Sequence, residues 1–353
     1  MADPAEGASE ADDPLGDPTV APNLLYTFKG FEEDRSREVT MTLGNYVHVF
    51  SRIWDLSTLD GVTVAYDYKQ ALLDLDRGYE SSHQLTPSDG IGVGIAMTPS
   101  VIRDGKLKSH IVLNAGVIEG LMDEQSEWFG SCVHTVAHEC AHVEITAFYD
   151  RAFPNVLLRA KLENSQELFR SQIILACWDE FAACWHTGTI GYDPTDAYAE
   201  TFLQTLKVTR ENVISSIKAF RTHGIVNRVL TEVYHAYGDI LKYASYLLGI
   251  MTARGIKIDD LPAVRDALVD HWFHDYFQRL EELCVSLAKQ YGEWTDKGAF
   301  EAIGDLADEL VTNASIHITV QQDGRLYVEI PHTLETLGDG MSPEMARLMG
   351  LIK

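Results

Sequence analysis

The sequence predicts an α+β chain in which a small antiparallel sheet precedes a mainly helical body and a C-terminal β-hairpin closes it. Three observations carry this expectation. Turn signals bound short β-rich runs before residue 115, and nearly everything from Glu124 to about Glu293 has helical spacing. A Gln-Gln-Asp-Gly turn ending at Gly324 then separates Ser315–Val320 from Leu326–Ile330. With 353 residues, 46% of them hydrophobic, the chain can bury a substantial core in one large domain or two smaller ones.

Residues 1–22 hold six acidic residues, four prolines and no Lys or Arg, which reads as a disordered acidic tail. Residues 23–195 form one region by pattern, and 196–353 form a second, helical region ending in the hairpin. Leu43–Leu56 is apolar at helical spacing, and Asp60-Gly61 introduces a strand over Val62–Tyr66. Lys69–Leu75 returns to helix. Gly90–Met97 reads as a strand with glycines at a close backbone approach. The Asp104-Gly105 pair is a hairpin turn, and Lys108–Asn114 is the returning strand. Helices are expected at about 127–148, 162–186 and 262–291, with breaks near Pro154, Gly188–Pro194, Gly224 and Gly255–Pro262.

Charge and composition exclude several classes. The formal net charge is −25, from 28 Lys+Arg against 53 Asp+Glu, and removing the six tail acids leaves −19. Such a surface repels phosphates, so direct nucleic-acid binding is not expected. No apolar run approaches the ~20 residues of a spanning helix, and acidic residues follow Met1 where a signal peptide is basic. Five widely spaced cysteines are an odd number and form no C-x-x-C pair, which reads as reduced thiols in a cytoplasm.

The informative segment is Cys132-Val-His134-Thr-Val-Ala-His138-Glu139-Cys140-Ala-His142. On a helix, His138 and His142 lie one turn apart on one face, where both imidazoles can bind the same zinc ion. Glu139 points beside the metal, positioned to hold a water and take its proton. A catalytic zinc site needs a third protein ligand with one position left open. Glu180 sits among apolar and small residues on the next long helix, where a carboxylate needs a partner. Glu167, 25 residues after His142, is the alternative. The two are 13 positions apart and about 220° out of phase, so only one can face the metal. His134 drifts about 40° off the ligand face and reads as packing or as a contact behind a ligand.

His138-Glu139-Cys-Ala-His142 with a downstream Glu180 resembles the gluzincin class of zinc peptidases. More narrowly, Ile111-Val-Leu-Asn114, the zinc helix and Asp179-Glu180-Phe-Ala-Ala resemble the ImmA/IrrE-type metallopeptidases, over about residues 90–188. That resemblance implies a zincin-like body over 23–195 and regulatory proteolysis of a protein substrate. The run Tyr234–Gly249 is similar to the tyrosine-rich helix of thimet-oligopeptidase-like enzymes. It implies an oxyanion donor there, with Tyr243 and Tyr246 as candidates; Tyr237 and His235 lie on the same run. The third-ligand spacing of those enzymes is what supports Glu167.

Three further readings follow. The strand ending at Asn114 could pair with extended substrate backbone, with Gly92 and Gly94 keeping its neighbour slim. The aromatic-dense segment 270–280 reads as core packing, with a homodimer face as its alternative. The expected function is a zinc-dependent peptidase acting on peptide or protein substrates. The competing class is a non-catalytic regulatory or scaffold protein stabilised by zinc.

Overall fold

The computed structural model describes residues 15–81, 84–87, 94–338 and 340–352. The chain divides into two compact units, the first built from residues up to Pro87 and Ile95–Ala147, the second chiefly from Phe148 onward. The division falls inside one continuous helix, Phe129–Ala152, and groups the Glu180 helix with the later helices.

In the first unit, β1 (Leu25–Lys29), α1 (Glu33–Phe50), β2 (Leu59–Ala65) and α2 (Tyr68–Leu73) precede β3 (Ala96–Met97), β4 (Ser100–Arg103) and β5 (Lys106–Asn114). The sheet runs β1-β2-β5-β3, with β4 also paired to β5. It is not the antiparallel sheet expected from the turn signals. β1, β2 and β5 are parallel, and only β3 and β4 run antiparallel to β5. The reason lies in the connections: α1 carries the chain back between β1 and β2, and a crossover of this kind joins parallel strands. The Asp104-Gly105 turn does make a hairpin, β4–β5, with both residues at positive φ (50° and 73°) as a tight two-residue turn requires. Of the expected strand over Gly90–Met97, residues 90–93, Gly92 among them, lie outside the described residues; among the described ones Ala96–Met97 form a strand and Gly94 does not.

Burial follows the patterning. α1 turns Val39, Leu43, Val47 and Phe50 inward at helical spacing, and it begins ten residues before the expected start. β2 is buried along most of its length, as a strand with neighbours on both sides should be. Ala65 and Val112 of the sheet pack with Tyr68, Ala71 and Leu72 of α2. Of the acidic tail, residues 15–22 are described and are tied down: Gly16 N–H donates to the Arg52 carbonyl, and the Thr19 hydroxyl lies 2.8 Å from the carbonyl oxygens of Ser51 and Trp54. After β5 come α3 (Ala115–Leu121) and α4 (Phe129–Ala152).

The second unit is helical: α5 (Ser165–Thr187), α6 (Thr195–His223), α7 (Val226–Arg254), α8 (Pro262–Leu268), α9 (His274–Ala288) and α10 (Gly298–Asn313). The hairpin of β6 (His317–Val320) and β7 (Leu326–Glu329) follows, then α11 (Pro343–Leu348). α6 and α7 each end at a glycine with φ near 66°, the left-handed cap that the sequence breaks at 224 and 255 signal. The expected helix over 262–291 is two helices, because Asp270 adopts a positive φ of 54° between them. α7 packs against α5 and α6. Gly249 makes the first contact close: a Cβ there would stand 2.4 Å from the Phe181 carbonyl oxygen. Trp178 of α5 meets Trp294 and Phe300 edge-on, forming an aromatic core. Phe273, Phe277 and Leu280 are buried within this unit, as the packing reading of the 270–280 segment expects.

Among the described residues, 11 helices and two small sheets make a mixed α/β chain, 56% helical, consistent with the α+β class. No helix of theirs is long and apolar enough to cross a membrane. All five cysteines are free and buried.

Candidate metal centre

The HExxH segment lies on α4, as its spacing predicts. Two side-chain contacts hold the helix within the first unit. Glu144, buried, accepts from the Asp55 backbone N–H at 2.6 Å, and Thr98, in the link between β3 and β4, reaches Glu139. The Thr98 hydroxyl donates to Glu139 Oε2 at 2.6 Å and lies 3.1 Å from the Glu139 carbonyl oxygen. A short hydrogen bond to a carboxylate fixes its orientation.

His138 and His142 are both about nine-tenths buried. Their ring centroids are 4.6 Å apart and the rings are nearly perpendicular, at 88°. One turn earlier, His134 is also buried, its ring centroid 6.1 Å from that of His138. Single ligand atoms of His138, His142 and Glu180 all lie within 4.8 Å of one another. Two imidazoles and one carboxylate are the donor set that zinc accepts in hydrolytic sites, so the residues fit the ion.

Glu180 is on α5, flanked by Cys177, Trp178, Phe181 and Ala182, all buried. The Tyr246 hydroxyl of α7 hydrogen-bonds its carboxylate, and burial together with that charge pushes the Tyr246 phenol well up, so it stays a neutral donor. Tyr246 also packs on Tyr198, with ring centroids 5.1 Å apart. Glu167, the alternative ligand, has a different task. It is at the start of α5, about 20 Å along the axis from Glu180. There its carboxylate accepts from the Glu163 N–H at 2.8 Å while Asn164 caps the helix through the Glu167 N–H.

No family model, curated protein or solved structure matches this chain. What the site can do is therefore read from its own residues.

The remaining sequence candidates separate. Tyr243 is half-buried with the Lys242 ammonium 4.9 Å from its ring centroid, and Tyr237 packs on Trp272. His235 is exposed. Asn114 caps α3, its side chain accepting from Gly116 N–H at 2.8 Å. β5 has neighbours on both sides, so substrate pairing along it is overturned: β2 occupies one edge and β3 with β4 the other. Cys140 is fully buried and its thiol is raised by burial, which makes it inert. Sequence reasoning missed Thr98. Its one signal is position, in a Thr-Pro step that interrupts two β-rich runs.

Proposed function

We propose that this chain is a zinc-dependent peptidase in which His138, His142 and Glu180 hold the metal and Glu139 is the general base. The observation that carries the reading is the His138–His142–Glu180 cluster with a second carboxylate, Glu139, adjacent in sequence but outside it and held by Thr98. A purely structural site has no use for that second carboxylate. When bound, zinc supplies Lewis-acid polarisation of a carbonyl and acidifies a water molecule.

The chain's own residues do the rest. Glu139 takes the proton from the attacking water and returns it to the leaving amine, with Thr98 fixing its rotamer. Tyr246 orients Glu180 through its hydroxyl, the role of a residue behind a metal ligand. The α4–α5 pair is read as a gluzincin-type arrangement in a zincin-like body of ImmA/IrrE character. Its substrates are peptides or proteins and its compartment is the cytoplasm, where buried thiols stay reduced.

Glu139→Gln is the test. The variant is expected to retain one zinc per chain and to lose hydrolysis of a peptide library by a factor on the order of 10²–10⁴. Wild-type protein that carries zinc yet cleaves no peptide would leave the non-catalytic scaffold as the better account. Metal quantification in Glu180→Ala and Glu167→Ala separates the ligand candidates, with loss expected only in the former.

A further inference from the structure

We infer that the second unit contains a binding site for a free α-amino acid with a large apolar or aromatic side chain. The site is a cavity of about 450 Å³, within the range of small-molecule pockets, walled by α6, α7, α9, α10 and the 333–336 segment. It does not depend on the metal centre.

Its floor is apolar. Val213 and Ile217 of α6 and Leu310 of α10 are buried beneath it, and Trp272 stands edge-on to Tyr237 with ring centroids 6.2 Å apart. An aromatic or branched aliphatic side chain fits such a lining by apolar burial and ring stacking.

The polar groups are few and of both signs. Arg210 and Glu335, both about half exposed, face each other with Arg210 Nη2 2.9 and 3.1 Å from the two Glu335 oxygens. Arg210 uses only that nitrogen, so its Nε and Nη1 remain available to a carboxylate. Each Glu335 oxygen keeps lone pairs for an ammonium. A cation and an anion side by side above an apolar floor complement a zwitterion, whose own two charges are adjacent and carry an apolar group. A simple carboxylic acid would meet Glu335 as a like charge, and a simple amine would meet Arg210.

Tyr237 supplies the second, independent observation. Its side chain is more than nine-tenths buried and lines the cavity, yet among the described residues its hydroxyl has no hydrogen-bond partner. Because Tyr237 lines the cavity, its hydroxyl can donate to a ligand carboxylate beside Arg210. Burial pushes the phenol up to about 12 while the Arg210 charge pulls the other way, so the phenol is a proton donor within the field of the rim charges. The opposite wall is fixed rather than loose: Arg221 donates to the Ile330 and Pro331 carbonyls at 2.6 and 2.7 Å, and the Thr333 and Thr336 hydroxyls bond each other at 2.9 Å.

Isothermal titration of the full chain with L-phenylalanine, L-tryptophan and L-leucine tests the assignment, alongside 3-phenylpropionate and phenethylamine as single-charge controls. Saturable binding of at least one amino acid is expected, with each control at least about tenfold weaker. Arg210→Ala and Glu335→Gln, at exposed positions that do not threaten the fold, are each expected to weaken binding by about tenfold or more. Tyr237→Phe, which keeps the ring, is expected to weaken it less. No saturable response to any of the amino acids would overturn the proposal. So would equal binding of 3-phenylpropionate, or amino-acid binding unchanged in Arg210→Ala and Glu335→Gln.

Discussion

Gly249→Ala places a single methyl group where α7 approaches α5. The new Cβ would sit 2.4 Å from the Phe181 carbonyl oxygen and 2.7 Å from the Cys184 Cβ, both well inside van der Waals contact. A backbone oxygen within a helix cannot swing aside, so the two helices must part or tilt. Overpacking of this kind costs about 1–3 kcal/mol, and a backbone obstacle belongs at the upper end of that range. Against it stands a gain of about 1 kcal/mol from replacing glycine with the best helix former. The expected net loss is about 2 kcal/mol, which for a unit of some 200 residues lowers Tm by roughly 4–8 °C. Gly238→Ala on the same helix is the control. Its Cβ meets only the Ile173 side chain, at 3.0 and 3.3 Å, which can rotate away, so the propensity gain is expected to offset the contact. Thermal unfolding followed by circular dichroism reads both variants. A Gly249→Ala protein as stable as wild type, or a Gly238→Ala protein equally damaged, would refute the reasoning.

Three further outcomes are expected. Tyr246→Phe deletes the hydroxyl that bonds Glu180, and chelator competition should report about 10-fold weaker zinc affinity or more; an unchanged affinity removes Tyr246 from the site. Burial lowers the His186 imidazole to about 4, below its ordinary value near 6.5. Its contribution is therefore complete above about pH 6.5 and is lost as pH falls through about 4, up to roughly 3 kcal/mol; urea melts of His186→Gln should lack that part of the acid dependence. Arg170 bonds Asp308, Asp305 and Glu301 at 2.6, 2.8 and 3.2 Å, and Tyr234 donates to Asp308 at 2.5 Å. Arg170→Met strands those carboxylates together and should cost about 3 kcal/mol in urea unfolding at neutral pH, less once acid neutralises them.

The local features of the site were legible because they depend on helical spacing alone. The four-position step from His138 to His142 places both rings on one face wherever α4 goes. The choice between Glu180 and Glu167 could also be argued from the small and apolar neighbours of Glu180. Longer-range features were not legible. Leu25–Lys29 carries no clear alternation, so β1 was missed, and with it the crossover that makes the sheet parallel at one edge. Strand direction is set by where α1 returns the chain, which no window of residues records. α1 itself was legible only from Leu43, because its first turns, from Glu33, are charged and exposed. Tyr246 was singled out by its tyrosine-rich run, yet its hydroxyl is engaged by Glu180, a partner 66 positions earlier that spacing cannot reveal.

The hydroxyl of Thr98 has a property that a lysine or an amide N–H in its place would lack. It is donor and acceptor at once, and it can rotate about its C–O bond. Against an ionised Glu139 it gives its proton to Oε2. Once Glu139 has taken up a proton in the proposed reaction, the same oxygen can turn and receive a hydrogen bond from the neutral acid. A fixed cation there would favour the carboxylate so strongly that the base would resist protonation, and a methyl group would leave it unsupported. In the proposed cycle, Thr98 can therefore bond Glu139 in either protonation state without moving its backbone.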